Sequence, residues 1–135
     1  MTARKYRTKN VPRTQYTTYE KKARGFRSAM NSSLTEGHRD AAALNAAHCA
    51  ISAADALLVK HAGLRSSSEV HDDAAGLLKQ HIKDDQAQQK ARTLSKIISY
   101  KHVAAYEARE ITEADARELV KLTERFYDWA TSLLE

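Results

Sequence analysis

Residues 38–63 read HRDAAALNAAHCAISAADALLVKHAG. Leu44, Cys49, Ile51, Leu58 and Val59 are joined here by so many alanines that a helix of this sequence can be approached closely from several sides. That makes it the expected centre of a helical bundle. Gly63 closes it as a left-handed C-cap, and Thr35-Glu36-Gly37 breaks the pattern before it. Outside this stretch the only proline is Pro12, and from Thr17 to Glu135 a few glycines are all that interrupts helix. Since proline and glycine are the strongest backbone punctuation, the chain is expected to be all-α: an antiparallel up-and-down four-helix bundle with one additional short helix.

Going outward, a first helix is expected from Thr17, where Thr17-x-x-Glu20 has the form of a capping box, to about Leu34. Its apolar residues Tyr19, Ala23, Phe26, Met30 and Leu34 follow steps of four and three, which marks one face. After the central helix, Ser66-x-x-Glu69 has the same capping form and predicts a short third helix with Val70, Ala74, Leu77, Leu78 and Ile82 inward. A fourth helix is expected from Gln86 to about Arg109, carrying Ala87, Ala91, Leu94, Ile97, Ile98, Lys101 or His102, and Ala105. Thr112-x-x-Asp115 caps a fifth with Ala116, Leu119, Thr123, Phe126, Ala130 and Leu133 on one stripe. The domain boundary falls at residue 17, with residues 1–16 a basic, flexible arm and residues 17–135 the bundle. No sustained repeat or heptad register is present.

The 135 residues carry a formal net charge of +5, unevenly placed. Residues 1–27 hold nine basic side chains against the single acid Glu20, so the rest of the chain is acidic on balance. A basic arm on an acidic body suits a nucleic-acid partner, with Arg4, Lys5, Arg7, Lys9 and Arg13 as the contacts; a solvated tail that aids solubility is the plainer reading. Tyr6, Tyr16 and Tyr19 interleave with these charges, which suits stacking on bases or a tail laid on the bundle. No apolar stretch approaches the roughly 18 residues of a membrane span, and no apolar segment follows the N-terminal charges as in a secretory signal. A cytoplasmic location without membrane association is therefore expected. The one cysteine, Cys49, reads as a small core residue.

Chemistry-bearing constellations are few. The six histidines, His38, His48, His61, His71, His81 and His102, include no pair at the four-residue helical spacing of a zinc site, and no Glu-x-x-His pair is present. No metal and no cofactor is expected. Gly25, Gly37, Gly63 and Gly76 are too scattered to cradle a phosphate. Asp55, among apolar residues, is either a buried hydrogen-bonding group or an interface residue. Metal-free phosphodiester cleavage on a helical bundle needs an arginine to hold phosphate charge and a histidine to move the 2′-hydroxyl proton. Arg65-x5-His71 meets that spacing formally, across the start of the third helix.

Four stretches in order resemble the HEPN domain family, the higher-eukaryote and prokaryote nucleotide-binding helical domain. They are SAADALLVKHAGLRS (52–66), SSEVHDDAAGLL (67–78), LSKIISYKHVAAYE (94–107) and ITEADARELVKLTERFYDWATSLL (111–134). The resemblance implies a homodimer, in many relatives a ribonuclease toxin or the partner of a small nucleotidyltransferase. The family's ribonuclease signature is an arginine, a polar residue, and a histidine four to six residues on along the fourth helix. On this chain those positions fall at Lys101, His102 and near Tyr106, so arginine and histidine are both missing. Lysine offers a point charge without the guanidinium fork. A phenol, ionising ordinarily near pH ~10, is a poor base at neutral pH. Lys96-x5-His102 keeps a histidine but again lacks arginine.

The resemblance therefore implies a catalytically degenerate homodimer that binds a nucleotidyltransferase, a nucleotide or RNA, in a toxin–antitoxin or defence setting. Asp55, His71, Lys101, His102 and Tyr106 would border the cleft between protomers, and Tyr106 is the position at which a partner could nucleotidylate the chain. The alternatives are a metal-independent ribonuclease using His102 with Lys101 or Lys96, and a nucleic-acid-binding bundle using the basic arm. A purely structural role is the plainer reading of the same residues, with Tyr106 against Trp129 and His102 bonded across the bundle.

Overall fold

The computed structural model describes residues 5–68 and 72–135. Its elements run β1 (Thr8–Asn10), a single 3-10 turn (Arg13–Gln15), α1 (Tyr16–Thr35), α2 (Arg39–Ala62), β2 (Leu64–Ser66), α3 (Asp73–His81), α4 (Ala87–Tyr106) and α5 (Glu113–Ser132). The architecture is all-α: four long helices, the short α3 inserted after α2, and a two-stranded ribbon.

α2 is the central element and packs on α1, α3, α4 and α5. Its alanines at 42, 43, 46, 47, 50, 53, 54 and 56 are all but fully buried. Without bulky side chains neighbouring helices can approach closely, and the Leu57, Leu58 and Val59 side chains then fill the space between them. By length and composition α2 does qualify as a membrane span, contrary to the reading above. Yet 83% of that apolar window is buried inside the protein, so the bundle accounts for its composition. At its end Gly63 adopts φ 67°, and its N–H reaches the Val59 carbonyl at 3.0 Å, the left-handed cap that a Cβ would strain.

The outer helices bury the expected stripes. Ala23 and Met30 of α1, Leu77 and Leu78 of α3, Leu94 and Ile97 of α4, and Leu119, Thr123 and Phe126 of α5 meet in one core. The Thr123 hydroxyl is satisfied by donating to the Leu119 carbonyl at 2.8 Å. Two polar links fix helix pairs. Arg27 donates to Glu124 at 2.7 Å and Asn31 to the same carboxylate at 2.8 Å, tying α1 to α5. Trp129 donates its indole N–H to Asp84 at 2.9 Å, tying α5 to the α3–α4 loop, and together with the Gln86 N–H it holds the Asp84 pKa below the ordinary carboxylate value.

Several expectations are corrected. The segment read as a flexible arm is anchored from residue 7 onward. β1 pairs antiparallel with β2 in the register Thr8–Ser66, Lys9–Arg65, Asn10–Leu64, and Ser67 N–H to Arg7 carbonyl (3.0 Å) and Val11 N–H to Gly63 carbonyl (2.9 Å) continue the ladder at both ends. Val11 is buried, which supplies an apolar reason for the attachment. Arg4 lies outside the described residues, whereas Lys5, Arg7, Lys9 and Arg13 are exposed. Ser66 belongs to β2, its hydroxyl accepts from the Ser68 N–H, and α3 begins seven residues later at Asp73. Glu69, Val70 and His71 lie outside the described residues. Thr17 is already inside α1, and its hydroxyl donates to the Thr14 carbonyl at 3.4 Å instead of capping. α4 stops at Tyr106, short of Arg109, and Ala105 is exposed while Val103 takes the inward position.

Candidate functional site

The residues at the signature positions stand on the last turn and a half of α4. Lys101 is half-buried, His102 is exposed, and Tyr106 is the one large hydrophobic side chain exposed among the described residues, at 79%. One turn apart on the helix, His102 and Tyr106 share a face, with ring centroids 5.4 Å apart and planes tilted by 45°. Tyr106 does not pack against Trp129, whose ring instead meets Phe126 at 5.6 Å. His102 makes no bond across the bundle among the described contacts. Both structural alternatives for these two residues are thus corrected.

Lys101 shares the α4 stripe of the buried Leu94 and Ile97, about 100° round from His102. Its charge lies near enough to His48 to lower that imidazole's pKa, after burial, which is the larger cause. His48 in turn stacks on Phe26 of α1, centroids 5.2 Å apart at 29°. α1 and α2 thus meet at a half-buried imidazole that senses the Lys101 charge of α4. Lys96 is not part of this group: five and six residues on a helix put it about 140° from Lys101 and about 120° from His102. It is exposed, and its carbonyl accepts from Ser99 at 2.6 Å.

Asp55 lies two turns beyond His48 on the same stripe of α2, about 10 Å further along the axis. It is 4% exposed and paired with Arg65 of β2 at 3.2 Å. Burial pushes its pKa up to about 6; the attraction and hydrogen bond of Arg65, and the more distant charge of Lys22, act against that rise without cancelling it. The Arg65 guanidinium also stacks over the Tyr19 ring at 5.2 Å, with Lys22 5.8 Å from the same ring. Arg65 Nε is buried without a partner. A small cavity of about 40 Å³ opens beside the pair, lined by Ile51, Asp55, Arg65, Ser66, Ser68 and Ala74. Asp55 is thus not brought to the α4 group, and Arg65 is committed to Asp55. Its formal partner in spacing, His71, falls outside the described residues.

His48 was missed by sequence reasoning, although a signal existed. Asn45, His48, Ser52 and Asp55 interrupt the alanines of α2 at steps of three, four and three, a polar line along one helical face. Cys49, beside it, is fully buried, and desolvation pushes its thiol up to about 12, which makes it an inert core residue.

The model of the HEPN domain family matches residues 17–133 of the chain. No curated protein and no solved structure is matched. The match spans the whole helical bundle, from the first turn of α1 to the end of α5, and contains every candidate site residue on α2, β2 and α4: the chain belongs to the HEPN domain family.

Proposed function

We propose that this protein works as a binding component rather than as a nuclease: a HEPN homodimer that presents the end of α4 to its second copy and to a small nucleotidyltransferase partner. The observation that carries this reading is the composition of that end. Where the ribonuclease signature requires an arginine and a histidine, α4 offers a half-buried Lys101 and the open phenol of Tyr106. Cleavage through a 2′-hydroxyl needs a base and a phosphate-holding cation on the same open surface. His102 and Lys101 diverge by about 100° around the helix, and Lys96 is further round still. An exposed aromatic ring beside an imidazole, in contrast, suits burial against a protein partner.

The deciding experiment incubates the purified protein with labelled RNA in EDTA. No cleavage above buffer is expected. Cleavage that disappears in His102→Ala would establish the nuclease reading instead. For the partner, Tyr106→Phe is expected to abolish any nucleotidyl transfer to the chain from the cognate enzyme, read as an added nucleotide mass on the intact protein; a modified Tyr106→Phe protein would remove Tyr106 from that role.

A further inference from the structure

Positive charge is concentrated around the β1–β2 ribbon in a way that the free protein leaves unbalanced. The strand register sets Lys9 directly opposite Arg65, so both side chains leave the ribbon on one face. Like charges placed opposite each other destabilise a strand pair. The carboxylate paired with Arg65 is Asp55, which is buried. Around this pair stand Arg7, whose carbonyl extends the ladder to Ser67; Arg13, whose side chain lies 3.6 Å from where a Gly63 Cβ would be; and Lys22, near the Tyr19 ring on which Arg65 stacks. None of Arg7, Lys9, Arg13 or Lys22 is paired with an acid among the described residues.

The ribbon converts what composition alone presents as a tail into fixed positions. Arg7 and Lys9 are two residues apart on an extended chain, about 7 Å, and the ladder bonds, buried Val11 and Arg65 hold them against the bundle. Discrete cations at such intervals fit a chain of discrete phosphates. A lipid surface fits poorly, because the one large hydrophobic exposed among the described residues is Tyr106, on α4 and not on the ribbon.

We propose that the β1–β2 ribbon, with Arg7, Lys9, Arg13 and Lys22, is a docking surface for the sugar–phosphate backbone of a nucleic acid. It is separate from the α4 surface and does not depend on the reading of that surface. The ligand is read by charge and spacing, so RNA and DNA strands of equal length bind alike. Releasing counterions from about four phosphates gives a slope of log K against log salt of about −3 for single strands.

Fluorescence anisotropy with labelled 15-nucleotide oligo-rU and oligo-dT, between 50 and 300 mM KCl, tests this. Both strands are expected to bind with affinities within a few-fold of each other and with that slope. The Lys9→Ala/Lys22→Ala double variant should lose about tenfold in affinity at 100 mM salt and flatten the slope by about 1 to 1.5. Lys83→Ala/Lys121→Ala, at exposed lysines elsewhere, should leave binding unchanged. The proposal is overturned by the absence of binding, by equal losses in the control pair, or by displacement of the oligonucleotide by poly-glutamate at matched charge.

Discussion

Asp55 is the residue at which the fold carries an electrostatic cost. Its pKa rises from the ordinary 3.8 to about 6 in the folded protein because burial disfavours the carboxylate more than Arg65 favours it. A group with a raised folded-state pKa contributes stability that is complete below its unfolded pKa and is lost as pH rises through the folded one. The wild-type protein should therefore lose part of its stability between about pH 4 and pH 6. Asp55→Asn should remove that portion of the pH dependence in thermal melts followed by circular dichroism; a slope in this window equal to wild type would assign it elsewhere. Gly63 makes the opposite kind of prediction. With φ at 67°, Gly63→Ala should cost about 1 kcal/mol or more in urea denaturation, because an L-residue pays to enter the left-handed region. Gly63 was legible in the sequence, since a glycine ending an apolar helical run has few other uses. For Asp55 the sequence left two environments open, and only the pairing of β2 with β1, which delivers Arg65, decides between them.

Among the elements, the three capping motifs of the sequence divide instructively. Thr112 caps α5, accepting from the Asp115 N–H at 3.1 Å; Thr17, in the same spacing, stands inside α1, and Ser66 stands in β2, seven residues before α3. Thr112→Ala should accordingly cost about 1 kcal/mol, while Thr17→Ala should fall within about 0.5 kcal/mol of wild type, both read as shifts in denaturation midpoint. The motif is short enough to recur inside helices and strands, so its form alone does not locate a terminus. The ribbon could not be read at all. Three-residue strands offer no alternation to detect, and their pairing is a non-local event that periodicity does not encode. Its anchor is testable: Val11→Ala should cost about 1–2 kcal/mol and raise proteolytic cleavage between residues 5 and 15, whereas an unchanged cleavage pattern would mean that the ladder bonds alone hold the segment.

At the scale of the molecule, the all-α bundle followed from where proline and glycine are absent, and α2 could be placed at its centre because alanine permits close approach from several sides. The candidate site was legible only in part. Lys101, His102 and Tyr106 could be named from their place on the fourth helix, but the sequence left open whether Lys101 or His102 joins the packed stripe. That depends on the packing of α2 against α4, which leaves Lys101 half-buried with its charge acting on His48, and His102 exposed. A helix end bearing an exposed phenol at 79%, with lysine at the signature's arginine position and tyrosine at its histidine position, is better suited to contact than to catalysis. The central claim is that two copies meet over this surface, and light scattering during size-exclusion chromatography at micromolar concentration measures it directly. The account predicts a mass twice the 15.1 kDa of the chain, falling to the single-chain value in Tyr106→Asp; a wild-type protein that elutes strictly at the single-chain mass would contradict it.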